Sequence, residues 1–522
     1  MLTPRYGDAA VACGFVDLPH GQVHYRMRGE GPPLLALHES PRSSISLLPL
    51  LEGLAAHFTV IAIDTPGYGF SDPLPGDAPE MADYVAAVDA VRRALGIARM
   101  GLYGTHTGAA IAAAYAKDHP ANVAALVLDG YGVFTPDERE SFLTRYLAPF
   151  APAWDGGHVM QLWSRIKDLY MWFPWYDRAP GRRLAIDPPG IDAHHLTAIG
   201  FLQAGAGYHR AYRRAAEHPA QDTLAAVEAA GVPVAVMARE DDLLHPHLDR
   251  IRARHKVSVP ICQAAWLGAL RTALQPASSL PPYRHGAAAA GRRRLARIGG
   301  GFLHWRETGR ADAPVLLLLH DLPQCGAELL NAVEAAGLDA HFRVVMPDLP
   351  GCGQSDPLEG KPSVTRLAAV LQGLPCPAAI VGVGASAVLA SALGEYLGAP
   401  AFGLHAPGWA IAGPAPRHNP LPAFTPALDG AYLTAAWFRL RDMVFYDAAG
   451  VRTDMSDIDA DALHARFRAF CLGPDCRQWM ELALDLARTG RFLQRSLAEL
   501  DAAAILETCR RAPGLIGSHD QV

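Results

Sequence analysis

Short runs of uninterrupted apolar residues alternate along this chain with longer stretches in which apolar positions recur every three or four residues. Runs such as Pro33-Leu34-Leu35-Ala36-Leu37 and Ala125-Leu126-Val127-Leu128 show no polar alternation. They read as strands buried on both faces, the signature of a parallel sheet covered by helices. In the first half the pattern predicts strands near residues 33–38, 58–63, 100–103, 124–128 and 232–237, with a further strand over 255–261. Ala109 to Ala116 reads as a helix packed on the strand before it. Between about 134 and 222 the strand signal stops. Helical segments there carry Trp154, Trp163, Tyr170, Trp172, Phe173, Trp175, Tyr176, Tyr208 and Tyr212. A helical insertion at this point predicts a cap over the carboxyl ends of the strands, where open α/β sheets bind ligands.

The pattern is written twice, at an offset of roughly 280 residues, which suits a duplicated domain and not a solenoid. Val23-His24-Tyr25-Arg26 recurs as Leu303-His304-Trp305-Arg306. The run ending at His38, followed by Glu39-Ser40-Pro41, recurs as the run ending at His320, followed by Asp321-Leu322-Pro323. Asp64-Thr65-Pro66-Gly67-Tyr68-Gly69-Phe70-Ser71-Asp72-Pro73 recurs as Asp348-Leu349-Pro350-Gly351-Cys352-Gly353-Gln354-Ser355-Asp356-Pro357. The fold class expected is therefore α/β, as two tandem domains of mostly parallel sheet flanked by helices. The first spans 1–275 with its cap near 134–222, a Pro-, Ser-, Gly- and Ala-rich linker spans 276–297, and the second spans 298–522.

Composition narrows the function classes. At 522 residues the chain exceeds the size of one ordinary core, which supports two domains. A formal charge of -6 with 19% charged residues offers no basic footprint for nucleic acid. The start has no charged segment leading into an apolar run, and no stretch reaches the length of a membrane span, so a cytoplasmic protein without a membrane partner is expected. Eight scattered cysteines read as reduced thiols.

The candidate chemistry centres on Gly104-Thr105-His106-Thr107-Gly108. Small flanking residues in a Gly-x-Ser-x-Gly motif allow a sharp strand-to-helix turn that lifts the central side chain into an active site. Here the flanks are kept and the central residue is histidine. The second copy reads Gly382-Val383-Gly384-Ala385-Ser386, with no side chain at the central position.

The His-x-x-Pro loop, the Asp-x-Pro-Gly-x-Gly-x-Ser-Asp segment and the elbow, in that order, resemble the α/β-hydrolase fold. The likeness is to its capped branch of epoxide hydrolases, haloalkane dehalogenases and carbon-carbon bond hydrolases, over nearly all of 15–275 and more weakly over 298–522. The resemblance implies a nucleophile position at His106 and an acid at Asp242, favoured over Asp241 by family spacing, or at Asp129, the alternative position. It implies an oxyanion hole from the backbone N–H groups of Ser40 and Thr107. It also implies a basic histidine after the last strand, near Gln263 to Trp266, where none stands. His255 precedes that strand and is expected to point away.

Without a serine or its base the ordinary acyl-enzyme route is closed, because a hydroxyl must lie within reach of a proton acceptor. An imidazole with an ordinary pKa of about 6.5 is suited to act as a general base. The expected function is hydrolysis of a small, fairly apolar substrate through His106. The alternatives are proton abstraction in a lyase, isomerase or cofactor-free oxygenase, and a pseudoenzyme that binds a ligand or partner. Pocket candidates are His38, Glu39, Trp172 and Trp175; for Glu39 the plainer reading is a solvent-facing or helix-capping carboxylate. No cofactor or metal is expected: His245-Pro246-His247 lacks the accompanying ligands. The acid-bearing strand of the second copy reads as Ala512 to Ser518, after which its last strand is missing. That domain is expected to be degenerate, truncated at its C-terminus and non-catalytic, its open edge covered by the first domain or by a second subunit, as in a homo-oligomer.

Overall fold

A computed structural model describes residues 10–184, 186–252, 254, 256–284, 292–299, 301–404, 419–445 and 459–488. They fall into two compact units, Met1–Ala151 with Met160–Gly291, and Pro152–Val159 with Arg292–Val522. The first unit holds strands β1 (Ala12–Leu18), β2 (Gly21–Arg28), β3 (Pro33–Leu37), β4 (Thr59–Ile63), β5 (Met100–Thr105), β6 (Val123–Asp129), β7 (Val234–Arg239) and β8 (Lys256–Val259). They form one sheet in the order β1-β2-β4-β3-β5-β6-β7-β8. The β1–β2 and β2–β4 pairs are antiparallel and the rest parallel. The β1–β2 hairpin was not expected from the apolar pattern, because β2 buries His24 and Arg26 among its apolar residues.

Side-chain alternation along the strands divides the core into two layers. Leu35, Leu37, Ile61, Ile63, Leu102, Leu126, Leu128 and Val236 face one way, and Leu34, Ala36, Val60, Ala62, Tyr103, Val127 and Met237 the other. The helices are α1 (Leu48–Leu54), α2 (Met81–Ala94), α3 (Thr107–Asp118), α4 (Pro136–Ser141), α5 (Gly157–Leu169), α6 (Ile191–Ala204), α7 (Arg210–Glu217), α8 (Ala220–Ala229) and α9 (Gln263–Ala273). Helices α2, α3 and α8 cover the first layer; α1 and α9 cover the second. Helix α3 is buried from Thr107 to Ala116, and its run of alanines lets it lie close on the sheet. From 134 to 222 the described chain has no strand: helices joined by loops run through it, with one isolated bridge, Trp172 with Arg183.

The second unit has a six-stranded sheet of β9 (Arg293–Ile298), β10 (Gly301–Thr308), β11 (Val315–Leu319), β12 (Arg343–Pro347), β13 (Ala379–Val383) and β14 (Ala401–Leu404). Its order is β14-β13-β11-β12-β10-β9, which repeats the order and pairing senses of β6 to β1 in the first unit. Its helices include α10 (Leu330–Ala335), α11 (Val364–Leu371) and α12 (Ser386–Leu397). The stretch 276–297, expected as a linker, has structure at both ends: Gln275–Ser279 is a 3-10 helix, and β9 begins at Arg293. Tyr283 is tied to the first unit through Gly31 O and Leu95 O. Pro152–Val159 packs with the second unit, where Trp437 Nε1 donates to Trp154 O at 3.2 Å and His158 Nε2 meets His464 Nδ1 at 3.2 Å. The strand expected over 512–518 lies outside the described residues.

The recurring histidine and aspartate positions form the same buried network in each unit. His24 Nδ1 meets Asp64 Oδ2 at 2.9 Å, Ser71 Oγ donates to Asp64 O, and His24 N donates to Ser71 Oγ. His304, Asp348 and Ser355 repeat these contacts, with the His304–Asp348 distance again 2.9 Å. Asp64 also accepts from Ser44 N and Phe70 N, and Arg26 lies 3.4 Å from it. Burial pushes the Asp64 carboxyl pKa up, but the His24 and Arg26 charges outweigh it and hold the pKa far below 3.8. Asp64→Ala, which strands these partners in the interior, is expected to cost about 3–5 kcal/mol. A urea midpoint in the wild-type range would contradict this. Because the folded pKa is depressed, the Asp64 contribution is present above about pH 4 and lost as the pH falls further.

Candidate active site

Strand β5 hands over to helix α3 at His106, whose φ of 48° and ψ of −109° are the left-handed turn the motif requires. Among the described residues it is the one non-glycine with positive φ. Such a conformation costs a β-carbon-bearing residue of order 1–3 kcal/mol and needs support from its surroundings. His106 N donates to Asp129 O at 3.0 Å, and His106 O accepts from Ala109 N and Ala110 N. Both flanking glycines are steric necessities. A β-carbon on Gly104 would lie 2.3 Å from Gly108 O, and one on Gly108 would lie 2.3 Å from Leu37 O.

The turn directs the imidazole to the carboxyl end of the sheet, where Asp242, past the end of β7, receives it. His106 Nε2 lies 2.8 Å from Asp242 Oδ2, and Asp242 Oδ1 accepts from Leu244 N at 2.7 Å. Among the described residues nothing bonds Nδ1, and about a quarter of the side chain is exposed, at 27%. Asp241 instead binds Arg239 at 2.8 Å. Burial pushes the ring's pKa down, but the charge and hydrogen bond of Asp242, helped by Glu39 and Asp129, raise it from 6.5 to about 9. The expectation of an ordinary imidazole near neutrality is corrected here: the sequence did not reveal how many carboxylates surround the ring. Asp242 is held below its usual range, burial opposing and His106 prevailing.

Asp129, the alternative acid, has other partners. Its Oδ2 accepts from Tyr103 hydroxyl at 2.9 Å and from Trp266 Nε1 at 2.8 Å. Burial raises its pKa against these two donors. Trp266 stands in the segment where the resemblance puts a basic histidine, so that place holds an indole that binds Asp129. Gly130 makes room for the dyad: a β-carbon there would lie 2.3 Å from His106 Cδ2 and 3.2 Å from Asp242 Oδ2. Tyr103, Trp266 and Gly130 were not singled out as site residues. The only signal for Trp266 was the vacancy it fills.

The loop after β3 supplies the other wall. His38, considered as a pocket residue, is buried and structural: its Nδ1 bonds Glu39 O at 2.7 Å and its Nε2 accepts from Thr65 N at 2.9 Å. Burial lowers its pKa, in keeping with a neutral ring between a donor and an acceptor. Glu39 neither faces open solvent nor contacts His106 directly. It accepts from Ser46 Oγ at 3.0 Å and pairs with Arg42 at 3.4 Å. Ser40 N donates to Thr107 Oγ1 at 3.4 Å, so the two residues implied for the oxyanion hole are neighbours, with a hydroxyl between them. Trp175 donates to Tyr146 O and lies against Arg165, while Trp172 bridges to Arg183 and lies under Arg178; both find these partners within the cap. His245 bonds Ser258 and His247 accepts from Val133 N. Among the described residues no group of three or more His, Cys, Asp or Glu side chains is disposed to hold a metal ion. No described helix is long and apolar enough to cross a membrane.

Residues 32–157, covering β3 through the elbow to β6 and beyond, match the family model for the alpha/beta hydrolase fold. The first unit has the alpha/beta hydrolase fold. The chain is similar to a proline iminopeptidase of Heyndrickxia coagulans, 31% identical over 118 residues, or 22% of this chain and 41% of that protein. It is also similar to the (E)-2-((N-methylformamido)methylene)succinate hydrolase of Acinetobacter baylyi, 30% identical over 138 residues, or 26% and 50% of the two chains. The chain thus spans half or less of the length of these curated relatives. Among solved structures, an epoxide hydrolase from an endophytic Streptomyces aligns with 50% of this chain and 96% of its own, at 21% identity and a TM-score of 0.38.

On this alpha/beta hydrolase scaffold the ring's proton affinity depends on contact with Asp242. Gly130→Ala would put a methyl group into that contact at a φ of +61°. Titration of the His106 imidazole by NMR is expected to fall from about 9 toward 6.5 in this variant. A midpoint that stays near 9 would mean the glycine is dispensable to the pair.

Proposed function

We propose that the first unit is a hydrolase for a small, fairly apolar substrate, in which His106 Nδ1 takes a proton from water and Asp242 orients the ring. The observation that carries this is the division of labour between the ring nitrogens: Nε2 is bound to Asp242 at 2.8 Å, while Nδ1 is open. With Nε2–H committed to the carboxylate, the neutral ring has its lone pair on Nδ1. Water gives its proton to Nδ1 as its oxygen attacks the substrate carbonyl, and the oxygen that becomes negative is taken up by the N–H group of Thr107, joined by that of Ser40 once it leaves Thr107 Oγ1. The imidazolium then returns the proton to the leaving group as the bond to it breaks. No serine, and no covalent intermediate, enters this sequence. Hydrolase activity in the names of the relatives supports the reaction class, and the substrate class comes from the aromatic lining expected of the cap.

The raised proton affinity favours a second reading, in which a resting imidazolium acts as acid or cationic anchor in non-hydrolytic chemistry. The pH dependence separates the two. Under the base reading turnover of p-nitrophenyl esters or epoxides rises with pH through about 9; under the second it falls there. The ion pair with Asp242 has the opposite sign to catalysis by the base. Its stabilisation is complete below about 6.5 and is lost as pH rises through about 9, because the folded value is the higher one. His106→Ala is expected to lower kcat/KM by about 10²–10⁴-fold. His106→Ser is expected to give little esterase activity, since Trp266 occupies the segment where a base would be needed; strong activity would sink this account.

We also infer that the second unit is a duplicated, non-catalytic copy of the first. Shared strand order, the repeated His-Asp-Ser network and the glycine at position 384 support it.

A further inference from the structure

The two units treat the same loop carboxylate differently. Glu39 and Asp321 each follow a buried histidine that is tethered alike: His38 Nδ1 to Glu39 O at 2.7 Å, His320 Nδ1 to Asp321 O at 2.8 Å. The loops stay in register beyond that point, because Ser44 N and Gly326 N each donate to the network aspartate, Asp64 or Asp348, at 2.7 Å. In the second unit the carboxylate has closed on the elbow. Asp321 Oδ1 accepts from Ala385 N at 2.9 Å, the N–H that corresponds to Thr107 in the first unit. It fills the space of the missing side chain, since a β-carbon on Gly384 would lie 2.1 Å from Asp321 Oδ1. In the first unit Glu39, one methylene longer, is bound by Arg42 and Ser46. At the same register the second unit has Gln324 and Glu328, which removes the guanidinium and the hydroxyl together.

We propose that Arg42, with Ser46, is a positioning clamp that holds Glu39 off the elbow, so that His106 Nδ1 and the Thr107 N–H remain open to substrate. Arg42 is itself fixed by cap residues, its Nη2 donating to Tyr170 hydroxyl at 2.8 Å and to Thr197 Oγ1 at 3.3 Å. The clamp therefore ties the approach of Glu39 to the seating of α6 on the loop, where a β-carbon on Gly200 would lie 2.9 Å from Pro41 O. Released from Arg42, Glu39 cannot take the place Asp321 takes, because His106 has a β-carbon there. It reaches instead for the open ring nitrogen and pairs with the imidazolium, which removes the base.

This deepens the reading of His106 as the working group of the site, and its test has one arm that needs no turnover. The full chain is prepared as wild type, Arg42→Gln, Arg42→Lys, Glu39→Ala and the Arg42→Gln/Glu39→Ala pair. The His106 Cε1–H resonance, assigned by its loss in His106→Ala, is titrated in each. Asp242, Asp129 and His247 also face the ring and are unaltered throughout. Arg42→Gln is expected to bind the His106 proton about tenfold more tightly, as an opposite charge closes on the ring. Ester turnover is expected to fall at least about tenfold in the same variant, as general-base catalysis is blocked. Adding Glu39→Ala should return both readings to those of Glu39→Ala alone, and Arg42→Lys should stay near wild type. An Arg42→Gln titration that matches wild type, or a double variant as impaired as Arg42→Gln, overturns the clamp. If His106→Ala turns over like wild type, the base reading fails, and the titration arm still decides the clamp by itself.

Discussion

Everything at this site depends on one backbone constraint, the left-handed turn between β5 and α3. It forces residue 106 out of the line of the strand and to the end of the sheet, and it is tolerated because the surrounding chain leaves no alternative. Leu37 O and Gly108 O come so close that only glycine fits at 108 and 104. The hydrogen bond from His106 N to Asp129 O pins the turn to the neighbouring strand. The turn sets where the side chain leaves the backbone, and the bond from Nε2 to Asp242 sets where the ring lies.

Electrostatics then divides the labour between two carboxylates only one strand apart. Asp242 is kept ionised by its pairing with His106 against the effect of burial, whereas Asp129 is buried between Tyr103 and Trp266 and is pushed toward its neutral form. Environments that drive two like groups apart in proton affinity are a common mark of acid-base sites. Here they leave the imidazole with a strong ionic partner on one nitrogen and an open position on the other. The carboxylate that fixes the ring also raises its proton affinity, so holding the ring and freeing its lone pair pull against each other.

The second unit repeats part of the first unit's framework. His304, Asp348 and Ser355 reproduce the contacts of His24, Asp64 and Ser71. Gly384 keeps the left-handed turn at φ 56°. What differs is the rim: the Asp321 carboxylate accepts from the Ala385 N–H from within the unit. An unbonded N–H in an interior is expensive, and an internal acceptor is the simplest way to remove the expense.

Much of this architecture was readable from residue order alone. Uninterrupted apolar runs marked β3 to β7, the paired glycines marked the sharp turn between β5 and α3, and the recurring Asp-x-Pro-Gly-x-Gly-x-Ser-Asp segment marked the loop that the buried network secures. These are local features, and local spacing is enough to determine strand period, turn type and the chemistry each residue can offer. The β1–β2 hairpin was hidden because β2 buries His24 and Arg26, which break the apolar pattern. The site was legible only as a set of candidates: His106 with Asp242 or Asp129, and Glu39 in the pocket or against solvent. Which acid met the imidazole, that Trp266 took Asp129, that Gly130 cleared the space, and that Arg42 and Ser46 took Glu39 were decided by the tertiary structure. Those choices join residues as far apart as 106 and 242, and the charge felt by a ring is a sum over neighbours whose distances no spacing along the chain records.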